Sequence, residues 1–393
     1  MNRSYAVVSS MLLASAAYVA LAPGCTSQPS QPAGPSLAPI PYVPIVPPAR
    51  TGAVGSGSDQ WFAVQTFFFG INPGPGSLTK PSKAWQDFGF DLDGRSTTPE
   101  QSAAAGTPAG ATAADTCMRL TGSSSNYLVD GPGGIDNNFG QFVVQTIKSL
   151  KSDWEDAVNA DVASGGSTLI LHLTNFSTQD HDGVPGELYL ANHLDGGGAP
   201  KFDTTDKWTI NSTSLNGGAS LRDGDPFPGP GSATHQFPAG YLAKGQWVSG
   251  SLDAKPFALD LPLPFGGMTV VLPISAVVVS MNVDGSNGTI AGALNVESFK
   301  MVLGPVLARV GRICPDNPNY PTYMDSLTRS ADVVFDKPQR QDPGQPCTGI
   351  SLGIGFVAKP TGVPDKVYVS PAPSDPGPCD AGIGDGGGGR DGG

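Results

Sequence analysis

The chain has little charge. Only 14% of its 393 residues are Asp, Glu, Lys or Arg, against about 25% in ordinary soluble domains. The 22 basic residues are outnumbered by 34 acidic ones, for a formal net charge of -12. Nucleic-acid binding needs clustered positive charge, so it is not expected here. Histidine is scarce, at four residues, and forms no HExxH pair. Five cysteines occur without a CxxC spacing, which leaves a zinc cluster no framework. Long apolar runs are missing beyond the first two dozen residues. The longest, Met268 to Val279, contains Pro273 and is far shorter than the ~20 residues a spanning helix needs.

Glycine and proline are abundant instead. The 53 Gly and 38 Pro make up nearly a quarter of the chain, about twice the usual share, which argues against a helical bundle. They also mark out regions. Residues 1–24 carry Arg3 and then an uncharged run from Tyr5 to Leu21, the pattern of an export signal. Leu21-Ala22-Pro23-Gly24-Cys25 resembles a bacterial lipobox, in which the cysteine thiol takes a diacylglycerol. Lipidation at Cys25 is therefore expected, with the membrane as partner through that lipid. Thr26 follows where inner-membrane lipoproteins carry Asp, so the outer membrane or cell surface is the expected location. Residues 25–58 are a Pro/Gly/Ser-rich tether, residues 59–370 a globular domain, and residues 371–393 a Gly/Asp-rich flexible tail.

The periodicity of the domain is mainly that of strands. Trp61 to Phe69 is aromatic and β-branched and reads as a buried strand; Ala84–Leu92, Leu169–Phe176, Gly186–Asn192, Trp208–Asn211, Gln246–Leu252, Thr269–Leu272 and Ile350–Ala358 follow. Val277–Val283 and Gly288–Leu294 flank Asp284-Gly285 as a hairpin. The predicted fold is mainly β, an antiparallel β-sandwich or jelly roll with two or three helices, stapled by disulfides. Apolar stripes predict helices from Phe139 to about Gly165, from Glu297 to Arg312 with Pro305 kinking it or dividing it into two turns, and from Tyr323 to Val334. With Cys25 lipidated, Cys117, Cys314, Cys347 and Cys379 remain for two bridges. The preferred pairing is Cys117 with Cys314 and Cys347 with Cys379, since the last two bracket one short segment.

Several phrases together resemble a family of exported, mostly uncharacterised lipoproteins of myxobacteria and related bacteria. They are Phe88 to Gly94, Cys117, Asp130 to Asn137, Leu173 to Phe176, Asp180 to Asp182, Gly288 to Gly292, Ser330 to Val333, and Cys347 to Phe356. The resemblance implies a lipid anchor and one domain, and no activity. Gln179 and His181 depart from the more uniformly acidic stretch of similar chains.

Chemistry could reside in the carboxylates. Asp91, Asp93, Asp130, Asp136, Asp180 and Asp182 stand in Gly-rich stretches. Three uses are open: the turn chemistry of Asp-Gly, a structural Ca2+ held by loop oxygens, or a glycan-cleaving acid pair. Neither acidic loop fits the EF-hand pattern. Gly349-Ile350-Ser351-Leu352-Gly353 matches a nucleophile elbow, but no His follows Ser351, so it reads as a Gly-rich strand. His172, between Leu171 and Leu173, reads as a satisfied or exposed strand histidine rather than a zinc ligand. Trp61 and Trp154 look like core, whereas Trp85, Trp208 and Trp247 stand beside polar residues and offer a platform for a surface glycan. The expected protein is a non-enzymatic surface lipoprotein without a cofactor, apart from the structural Ca2+. A carbohydrate- or calcium-binding adhesion module is the alternative, and a secreted glycan-acting enzyme the second.

Overall fold

A computed structural model describes residues 47–94, 117–118, 129–250, 257–265, 268–311, 313–335 and 342–370. The signal, Cys25, the first part of the tether, Cys379 and the tail lie outside the described residues.

Thirteen strands are described: β1 Ser58–Phe68, β2 Cys117–Met118, β3 Thr168–Phe176, β4 His181–Leu194, β5 Trp208–Asn211, β6 His235–Ala243, β7 Gln246–Gly250, β8 Leu259–Phe265, β9 Met268–Asn282, β10 Gly288–Asn295, β11 Asp342–Pro346, β12 Gly349–Pro360 and β13 Val367–Tyr368. Eight of them form a closed ring of antiparallel neighbours in the order β4-β3-β1-β12-β10-β9-β7-β6, with β6 returning to β4. The mainly β expectation holds; the sandwich or jelly roll is corrected to a barrel. Both architectures ask for the same alternation along each strand. What closes this sheet is β4, fourteen residues long, which pairs with β3 through Thr168↔Ala191 to Leu173↔Gly186 and with β6 through His181↔Leu242 to Leu188↔His235.

Alternation sorts the wall. Phe62, Val64, Leu171, Leu173, Leu188, Leu190, Val279, Ile290, Leu352 and Ile354 are buried in the main apolar core. Trp61, Ala63, Ile170 and Tyr189, one residue out of phase, form a second apolar layer with Trp208 and Ile210 of β5 and Val367 of β13. The helices α1 Val144–Leu150, α2 Trp154–Ala163 and α3 Val296–Gly311 add Ile147, Val158, Phe299 and Leu303 to the main core; α4 is Tyr320–Arg329. Trp61 and Trp154 are core residues, as expected.

Local differences from the sequence reading have local causes. The single helix expected from Phe139 is a π-helical turn, Phe139–Val143, followed by α1 and α2, with a break after Leu150. Pro305 lies inside α3 without dividing it. The strand expected over Ala84–Leu92 is a 3-10 helix, Pro81–Asp87, because Asp87 accepts hydrogen bonds from the Gly74 N–H at 3.0 Å and the Thr79 hydroxyl at 2.6 Å and ties the segment back on itself. Strand β8, with Pro262 and Pro264, pairs only with β9, and such an edge tolerates proline because one side of its backbone needs no partner. The last tether residues lie against the barrel: Tyr241 donates to the Pro48 carbonyl at 2.8 Å, Asp182 N–H to Ala53 at 2.9 Å, and Gly57 N–H to Asn175 Oδ1 at 2.7 Å. Residues 48, 53 and 57, counted in the tether by the sequence reading, are therefore hydrogen-bonded to the barrel.

The preferred disulfide pairing is also corrected. Cys117 bonds to Cys347, and Cys314 is disulfide-bonded as well. A bridge across 230 residues cannot be inferred from sequence spacing, because the barrel decides which ends meet.

Candidate metal centre

The site forms where two barrel strands part. Strand β1 follows β12 as far as Phe68↔Gly355 and then turns away at Gly70, whose φ of 104° favours glycine. Beyond that point the β12 edge from Gly353 back to Gly349 has lost its strand partner. Three groups replace it. The Asn137 side chain accepts from the Gly353 N–H at 2.9 Å and donates to the Gly353 carbonyl at 3.1 Å, as a strand residue would. Asp332 accepts from the Ser351 N–H at 2.8 Å and from the Ser351 hydroxyl at 2.5 Å, and Val333 bridges to Gly349. A primary amide carries both a donor and an acceptor and so copies one peptide unit. Asn159 does the same at the end of β1, accepting from Phe67 N–H at 2.8 Å and donating to Phe67 O at 2.9 Å.

The outward residues of β12 are Gly349, Ser351, Gly353 and Gly355. A Cβ at Gly353 would sit 2.5 Å from the Phe88 carbonyl oxygen, so the alternating glycines let the segment from Phe88 lie flat on the strand. Gly349 to Gly353 is thus a strand, as its continued alternation indicated, and Ser351 is fully buried and bonded to Asp332.

The segment laid on β12 carries the acids. Phe90 pairs with Asp136 as an isolated bridge, and Asp136 Oδ2 accepts from the N–H groups of Leu92 at 2.7 Å and Asp93 at 3.3 Å. Asp91 is exposed and accepts from Gly94 N–H at 2.6 Å. Oxygens of Asp91, Asp93 and Asp136 all lie within 4.8 Å of one another, with Asp93 and Asp136 buried. Burial, then the charges of Asp93, Asp130 and Asp332, push the Asp136 carboxyl well above the usual carboxylate range. Burial pushes Asp332 up to about 8 although its bonds from Ser351 pull it down, and Asp130 and Asp93 add to the rise. Like charges in one dry place disfavour ionisation together, and a divalent cation removes that conflict.

Four of the six acids singled out in the sequence, Asp91, Asp93, Asp130 and Asp136, converge here; the other two are engaged elsewhere. Asp180 accepts from Lys244 N–H at 2.8 Å and Asp182 lies 3.8 Å from Arg50. Asp332 and Ser351 belong to the site and were not placed there by sequence reasoning. Their signal was the pair of phrases Ser330–Val333 and Cys347–Phe356, whose meeting requires the fold. The tryptophan platform is corrected: Trp85, Trp208 and Trp247 are 4%, 0% and 0% exposed; Trp85 is packed in the 3-10 helix, and Trp208 and Trp247 are in the apolar layers of the barrel. His172 is buried, not exposed.

No family model matches this chain, and comparison with curated proteins and with solved structures returns no match. Among the described residues no helix is long and apolar enough to cross a membrane.

Proposed function

We propose that this chain is a non-enzymatic, exported lipoprotein of the outer membrane or cell surface, anchored through Cys25, whose barrel domain takes a structural Ca2+ at Asp91, Asp93 and Asp136. The observation that carries the ion is the approach of three carboxylates within 4.8 Å, two of them buried, with Asp130 and Asp332 near enough to raise the Asp136 carboxyl further. Hard oxygen donors in loops are the chemistry of Ca2+, which takes six to eight of them. Asp91 supplies the exposed side of the cluster, and Asp136 fastens it to the backbone of Phe90, Leu92 and Asp93. Bound there, the ion joins the Phe88–Gly94 segment to the Asp130–Asn138 segment, both seated on β12. A glycan-cleaving pair is the weaker reading, because Asp93 and Asp136 are 5% and 4% exposed, whereas such a pair flanks a glycosidic bond. Calcium titration of the folded chain tests the ion: saturable binding that Asp136→Asn removes is expected, and equal affinity in that variant defeats the assignment. Palmitate labelling that disappears with Cys25→Ser is the expected result for the anchor; an unlabelled, secreted wild-type protein overturns it.

A further inference from the structure

A second polar cluster lies on the other outer layer of the barrel. His172 on β3 is fully buried, stacked on Trp61 with ring centroids 4.1 Å apart at 18°. Its Nδ1 lies 2.9 Å from Glu187 Oε2 on the neighbouring strand. Glu187 also accepts from the Tyr189 hydroxyl at 3.0 Å and from the Gly231 N–H at 2.8 Å. Although burial opposes it, the bonds from His172, Gly231 and Tyr189 hold the Glu187 carboxyl below its usual range. An ionised Glu187 wants a proton on Nδ1, and in the neutral ring that leaves the lone pair on Nε2.

Nε2 is buried and has no hydrogen-bond partner among the described residues. The nearest charged group is Asp59 Oδ2, at 3.6 Å, on a side chain that is 60% exposed. Strand alternation puts Asp59 on the same outward side as Trp61, whose register partner on β3 is His172. The gap is too long for a hydrogen bond. It is close to the ~3.4 Å that separates two ligands of a tetrahedral Zn2+ with metal–ligand bonds of about 2.1 Å. A carboxylate facing a ring nitrogen calls for a proton on that nitrogen or a metal ion between the two groups. A carboxylate on the far nitrogen of a histidine is also the usual outer partner of a histidine metal ligand, fixing tautomer and ring orientation.

We propose that His172 Nε2 and Asp59 form a two-ligand site for a divalent transition metal of the Zn2+ class, with Glu187 as its orienting outer partner and water completing the coordination. Imidazole nitrogen with one carboxylate selects such ions over Ca2+, so this site is chemically separate from the aspartate cluster. The exposed side of Asp59 is the route of entry.

The test is calorimetric titration of the full chain with Zn2+ in excess Ca2+, for the wild type and for Asp59→Asn, Glu187→Gln and Asp93→Asn. One equivalent should bind, at least tenfold more weakly in Asp59→Asn and about 10- to 100-fold more weakly in Glu187→Gln, and unchanged in Asp93→Asn. Absence of Zn2+ binding by the wild type, or equal affinity in Asp59→Asn, overturns the site. Asp59 is exposed, so that variant keeps the fold and its result is decisive whatever happens to Glu187→Gln. An imidazole NMR signal of His172 that stays fully protonated at saturating Zn2+ also overturns it. Failure in Asp93→Asn alone would place the zinc in the aspartate cluster and reject His172 as its ligand.

Discussion

Two buried polar places sit on the outside of one barrel and treat charge in opposite ways. At the β12 seam, Asp93, Asp136 and Asp332 are buried together, and burial with the neighbouring acids raises the carboxyls of Asp136 and Asp332. At β3 and β4, Glu187 is buried beside His172, Tyr189 and the Gly231 N–H, so its charge is met by donors. Buried groups with matched partners rigidify a structure, whereas like charges need a proton or a cation. The first place is therefore expected to respond to added Ca2+ and to alkali, and the second to the loss of one of the partners of Glu187.

The largest effect should come from releasing the seam. Replacing Cys117 and Cys347 with Ser frees a loop of 230 residues, for which chain entropy predicts a loss of about 5 kcal/mol; denaturant unfolding of that variant beside the wild type measures it. Asn137→Ala removes the amide that reaches Trp85, Phe88 and both polar groups of Gly353. Several buried backbone groups lose their partner, and a cost of about 3 kcal/mol is expected from the same measurement. An Asn137→Ala loss no greater than that of a surface substitution would mean that the β12 edge has another way to close.

Glu187→Gln, on the other side, should cost about 2 kcal/mol, since it leaves His172 and Tyr189 facing a weaker acceptor. The pH dependence of the two variants sharpens the contrast. Asp332 has a folded pKa of about 8, above its unfolded value, so its protonated form is favoured by folding. Without metal, its contribution is present at low pH and is lost as pH rises from about 4 towards 8. Glu187 is depressed in the folded state, so its contribution is present above the unfolded pKa and is lost as pH falls through the folded one. Asp332→Asn should flatten the alkaline side of the stability curve and Glu187→Gln the acid side. The idea fails if the two variants flatten the same side. The smallest effect is the ion itself at modest excess: Ca2+ at about 10 times its dissociation constant should stabilise the wild type by about 1.4 kcal/mol and Asp93→Asn by far less, read from thermal melts. That stabilisation should be larger at pH 8 than at pH 5, because protons compete with the metal for the same carboxylates.

Much of the wall was legible. Trp208–Asn211 is β5 at the residues expected, and the Val277–Leu294 hairpin is β9 and β10, because alternation and an Asp-Gly turn are local properties. The Trp platform was misread because composition beside a tryptophan does not say which layer covers it. Four of the cluster's acids were named from their Gly-rich phrases, yet Asp180 and Asp182 carry the same phrasing and stand apart. Asp332 was missed because no Gly-rich acidic phrase surrounds it; the groups it meets, Ser351, Asp93 and Asp130, come from elsewhere in the chain.

The amino-acid sequence by itself determined a β-rich, acid-rich domain with turn-dense connections, since strand alternation and turn chemistry act over a few residues. Only the tertiary structure decided that the sheet closes, that Cys117 meets Cys347, and that His172 and Asp59 face each other. Those contacts join residues far apart in the chain, and their energies come from which faces the closed barrel leaves dry.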